Sequence, residues 1–136
     1  MRRAALAAVL LLCACEPGER TPDPPPAPTA RAPQVGTYAG RLPCPDCEGI
    51  DTRLMLYPPP EFRFVLQRTY RRPYGRFEIK GPYYIERGSA VDPDATVFEL
   101  SAAEPIYFQQ VGPDELAPLD RDRRPIAGAP TLKRSP

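Results

Sequence analysis

The chain has 136 residues, four cysteines and no histidine, with 18 Lys and Arg against 17 Asp and Glu for a net charge of +1. So even a balance gives no electrostatic reason to expect a nucleic-acid partner. Without histidine, and with one CxxC pair rather than two, the usual ligand sets of structural zinc are excluded.

The N-terminus reads as an export signal. Arg2 and Arg3 precede nine apolar residues, Ala4 to Leu12, too few to span a bilayer, which takes roughly 20. That pattern fits the hydrophobic region of a secretory signal. It ends in Leu12-Cys13-Ala14-Cys15, which resembles a bacterial lipobox, with Cys13 the unusual residue in it. The resemblance implies removal of residues 1–14 and diacylglyceryl and acyl (palmitate) modification of Cys15. Two or more acyl chains anchor stably where one is marginal. Glu16 is not the inner-membrane retention residue Asp, so the expected location is the periplasmic face of the outer membrane. Loss of residues 1–14 removes two arginines and no acid, leaving a slightly acidic mature chain.

Residues 15–34 form the expected lipidated cysteine and linker. Prolines 17, 22, 24, 25, 26, 28 and 33 stand among residues with little to bury, so a semi-rigid polyproline-like tether is expected, with a reach on the order of 50 Å. Residues 35–128 are expected to form one domain, and residues 129–136 a flexible tail.

Within the domain no helical period is sustained, and strand-like runs recur between turn signals. The runs are Val35 to Leu42, Ile50 to Tyr57, Glu61 to Tyr70, Phe77 to Arg87, Thr96 to Ser101, Ile106 to Val111 and Glu115 to Leu119. The second places Ile50, Thr52, Leu54 and Leu56 on one face and Asp51, Arg53, Met55 and Tyr57 on the other. Pro58-Pro59-Pro60, Arg72-Pro73-Tyr74-Gly75 and Asp92-Pro93-Asp94 are among the turns. About seven such strands predict an all-β fold, a small antiparallel barrel or sandwich.

Between the first two runs lies the one CxxC, Cys44-Pro45-Asp46-Cys47. An oxidising envelope favours a disulfide for a close thiol pair. A thioredoxin-type pair starts a helix, whose N-terminus stabilises thiolate. Here a strand-like run follows, and the negative charge of Asp46 and Glu48 works against a thiolate. Two thiolates also suit Cu(I), with Met55 a third soft ligand if the fold brings it near. Three roles therefore stay open for Cys44 and Cys47: a staple, a redox switch and a Cu(I) clamp.

The run Tyr38-x-Gly40-x-Leu42-Pro43-Cys44-x-Asp46-Cys47-x-Gly49-Ile50-x-Thr52-x-Leu54 resembles the N-terminal domain of the NlpE copper-resistance lipoproteins. The likeness continues through Thr96–Leu100, Ile106-Tyr107-Phe108 and the closing Leu116-x-x-Leu119-Asp120-x-x-x-x-Pro125-Ile126. It implies a lipocalin-like barrel on an outer-membrane lipoprotein. It also implies a link to copper tolerance and to envelope-stress sensor proteins, Cpx in enteric bacteria. Asp46 and Gly49 would shape the cysteine loop. The sequence departs from the family pattern at Arg123, where a turn glycine is expected, and at Tyr83, where a tryptophan is expected. It stops at Pro136, short of the OB-like second domain of longer members, so signalling that needs that domain is not expected of it.

Other features are weaker. Arg68 to Arg76 is basic and aromatic and reads as a solvated hairpin loop or a patch for anionic lipid. Tyr83 and Tyr107, with Tyr84 and Phe108, either line a ligand pocket at a barrel mouth or fill the core. No nucleophile–base pair or phosphate loop is present, so an enzyme is not expected. The competing readings are a structural or small-ligand-binding barrel stapled by its disulfide, and a module that binds another envelope protein.

Overall fold

A computed structural model describes residues 35–72 and 74–136. The signal-like segment, Cys15 and the linker lie outside the described residues. Eight strands form a closed, fully antiparallel barrel in chain order: β1 (Gly36–Leu42), β2 (Ile50–Leu56), β3 (Arg63–Arg71), β4 (Tyr74–Arg87), β5 (Thr96–Leu100), β6 (Ile106–Gly112), β7 (Glu115–Leu119) and β8 (Leu132–Ser135).

The alternation seen in the sequence sets the inner face. Thr52, Leu54 and Leu56 of β2 point inward, and so do Phe64 and Leu66 of β3. Twelve buried side chains, drawn from all eight strands, make the core. An eight-stranded barrel has an interior just wide enough for its own side chains. Each buried Leu or Phe contributes about 1.5–3 kcal/mol, so this layer is the main source of stability. A second small cluster of Ala95, Val97 and Leu119, with Tyr107 against it, packs apart from that core.

The structure corrects two expectations. Residues 129–136 are not a frayed tail, and the domain does not end at 128: β8 pairs with both β1 and β7. Without it, those two strands would leave open edges of unpaired backbone groups. One inward residue, Leu132, is fully buried, and Arg134 donates to the Tyr38 hydroxyl at 3.1 Å and pairs with Asp114 at 2.8 Å. Motif residue Gly40 fits the same closure, because a Cβ there would stand 2.9 Å from the Thr131 carbonyl oxygen. The second correction concerns Arg68 to Arg76. It is not a loop but the end of a β3–β4 hairpin, paired as far as Arg71 with Tyr74.

Candidate functional site: the disulfide loop at the barrel mouth

Residues 43–49 join β1 to β2, whose last pair is Leu42 with Ile50. Pro43 and Pro45 lack backbone N–H groups and disfavour continued strand pairing. Gly49 is buried with φ +135°, and a Cβ there would lie 2.8 Å from the Arg41 side chain. Both conditions call for glycine. Cys44 and Cys47 are disulfide-bonded, with Cα atoms 5.3 Å apart, and both are half-buried. The Cys47 Sγ lies 3.6 Å from the Gly49 carbonyl oxygen. A strand follows the pair, as expected, so no helix N-terminus faces either sulfur. Asp46 is exposed, and its carboxylate has no hydrogen-bond partner among the described residues. Pro43, Pro45 and Gly49 shape the loop backbone.

Charged residues brace the loop. The Asp51 carboxylate accepts from Arg41 at 3.0 Å and from Arg71 at 2.9 Å, which joins β1, β2 and β3 at the loop base. Glu48, inside the loop, pairs with Arg72 of the β3–β4 turn at 3.5 Å. Hydrogen bonds from Arg71 and then Arg41 hold the Asp51 carboxyl below the usual aspartate range. Each exposed pair is worth little alone, but together they tie the disulfide loop to the hairpin beside it. Sequence reasoning missed this brace. Its one signal was the register: if Leu42 faces Ile50, then Arg41 faces Asp51.

Met55 is not brought to the sulfurs. It lies at the far end of β2, opposite Thr37 and Val65, about 16 Å of strand away from Ile50. Cysteine sulfurs bonded to each other offer no thiolate. Among the described residues no group of three or more His, Cys, Asp and Glu is placed to hold a metal. The disulfide state therefore does not fit Cu(I).

Tyr83 and Tyr107 do not share a pocket. Tyr83 is buried, donates its hydroxyl to the Tyr57 carbonyl at 2.8 Å and packs 6.1 Å from the Phe98 ring. Burial pushes its phenol pKa up. Tyr107 is half-buried beneath the Arg123 guanidinium, 5.1 Å from its ring, and lines a shallow depression of about 210 Å³ with Glu104, Pro105 and Arg121.

A filled eight-stranded antiparallel barrel with a braced disulfide loop at its mouth defines a lipocalin-like small-barrel domain. The chain belongs to the NlpE family: the model of the NlpE N-terminal domain matches residues 38–129. The barrel is similar to the crystal structure of a candidate lipoprotein from Shewanella oneidensis, at 25% identity and TM-score 0.55, over 74% of this chain and 88% of that one. It is also similar to the crystal structure of the Cpx pathway activator NlpE from Escherichia coli, at 30% identity and TM-score 0.51, over 70% of this chain. The match spans 46% of the Escherichia coli chain, about half its length. No curated protein matches the chain.

Proposed function

We propose that this chain is a non-enzymatic lipoprotein of the bacterial outer membrane, held by acylated Cys15 and a Pro-rich tether. In this reading Cys44 and Cys47 respond to redox or copper stress in the envelope, and the barrel reports to an envelope-stress sensor protein. The supporting observation is the disulfide within a loop whose base and flank are pinned by Asp51 and Glu48. A three-residue separation closes a very small ring, so the bond removes little unfolded-state entropy and stabilises at the low end of the usual range. Such a bond can open without unfolding the barrel. Family membership supports the stress role, as does the pathway named for the Escherichia coli relative.

Opening is a two-electron step. A dithiol reductant transfers two electrons and two protons to the S–S bond, giving two thiols here and a disulfide in the reductant. Only then do two soft sulfur donors exist, and thiolate pairs suit Cu(I). The test is a Cu(I) titration of the reduced full chain carrying Cys15→Ser against a competing chelator. A Cys44→Ser/Cys47→Ser version of the same chain, which keeps Cys13, runs beside it. The expected result is one Cu(I) retained by the first and none by the second. Equal, weak retention by both rules out copper coordination by the pair and leaves the redox role to stand alone.

A further inference from the structure

The outer face of β1–β4 carries a second feature, independent of the chemistry of the cysteine pair. Strand register places Arg41, Asp51, Thr69 and Arg76 in one row across four strands. The next row contains Arg53 and Gln67, opposite each other on β2 and β3. Directly opposed residues project to the same face. A concavity of about 630 Å³ is lined by these six side chains, within the size range of ligand sites.

Charge in this groove is unbalanced. Its one lining acid, Asp51, is already taken by Arg41 and Arg71. Glu78, in the row of Arg53 and Gln67, accepts from Gln67 at 2.8 Å and pairs with Lys80 at 2.7 Å, and the Arg76 charge acts on it more weakly. Arg53 and Arg76 are exposed and make no ion pair among the described residues. They stand on β2 and β4 with β3 between them and two residues apart along the strands, about 12 Å apart at the backbone. Arg53, Arg76 and Thr69 all line the concavity, and guanidinium groups on long stems can reach across that span. A single carboxylate satisfies one guanidinium fork. A tetrahedral phosphate has enough oxygens for two.

We propose that this groove binds a phosphate group, with Arg53 and Arg76 gripping it from opposite sides and Thr69 donating its hydroxyl. Two sources carry that chemistry, a phosphorylated solute and the headgroup of a membrane lipid. The test uses the full chain with Cys15→Ser, so that no acyl group contributes. One arm is calorimetric titration with pyrophosphate. The other is co-sedimentation with phosphatidylcholine vesicles with and without phosphatidic acid. Arg53→Gln/Arg76→Gln is compared with Arg87→Gln/Arg121→Gln, which loses the same charge elsewhere on the exposed surface. Melting temperature checks that both still fold. The groove variant is expected to bind about tenfold more weakly in at least one arm, while the control variant binds as the parent does. A response to pyrophosphate assigns a soluble ligand, and one to acidic vesicles alone assigns a headgroup. Absence of binding in both arms, or equal loss in the two variants, overturns the proposal.

Discussion

Arg123 occupies a position that normally belongs to glycine. Its φ of +58° is left-handed, and for a non-glycine residue that costs on the order of 1 kcal/mol. Three contacts hold it there. Its guanidinium pairs with Glu86 and lies 3.6 Å from Glu99, and it stacks over Tyr107. Around it, the Asp120 carboxylate accepts from the backbone N–H groups of Asp122 and Arg124, both at 2.9 Å, and fixes the turn. A glycine and this arginine with its contacts are thus two ways to accommodate one left-handed turn. Arg123→Ala keeps the backbone cost and loses the contacts, whereas Arg123→Gly loses the contacts and relieves the cost. In chemical denaturation, the alanine variant is expected to be less stable than the glycine variant by about 1 kcal/mol.

Two carboxylates, Glu99 beside Arg123 and Asp51 beside Arg41 and Arg71, are shifted in opposite senses. Burial, then the hydrogen bond and charge of Glu86, raise the Glu99 pKa against the pull of Arg123. A raised carboxyl favours the fold below the ordinary glutamate range, and that contribution is lost as pH rises through the folded value. Asp51 is lowered, so its contribution is present above the ordinary aspartate range and is lost as pH falls through the folded value. Denaturation against pH separates them. Glu99→Gln is expected to remove the penalty at neutral pH, and Asp51→Asn to remove part of the loss in acid.

At the scale of elements, β8 carries the sharpest test. If residues 129–136 were frayed, Leu132→Ala would shift stability by no more than about 0.5 kcal/mol. Because Leu132 is a fully buried member of the core, the expected loss is about 2–4 kcal/mol by equilibrium denaturation. The alternation of β2 and β3 was legible because it repeats over several residues with one apolar face. β8 was not, because Leu132-Lys133-Arg134-Ser135 offers one apolar residue and two charges. Its place is decided by β7 and by β1, the latter nearly a whole domain away in sequence. β4 was read to begin at Phe77 because Pro73 and Gly75 signal a turn, yet pairing with β3 starts at Tyr74. The cysteine loop divides the same way. Cys44, Cys47 and Gly49 could be read from the sequence, since their chemistry is local. The brace through Arg41, Asp51 and Arg71 depends on strand register and had to be seen.

Among the described residues the barrel interior is packed with side chains, so the proposed functions lie at the mouth and on the outer face. The proposed role requires that Cys44–Cys47 changes state in the envelope. Differential alkylation of living cells, followed by mass spectrometry of the cysteine-loop peptide, measures it directly. The reduced fraction of the pair is expected to change between unstressed cells and cells under copper or thiol stress, at constant protein level. A pair that stays fully oxidised under every condition would contradict it and leave the disulfide as a staple of the barrel mouth.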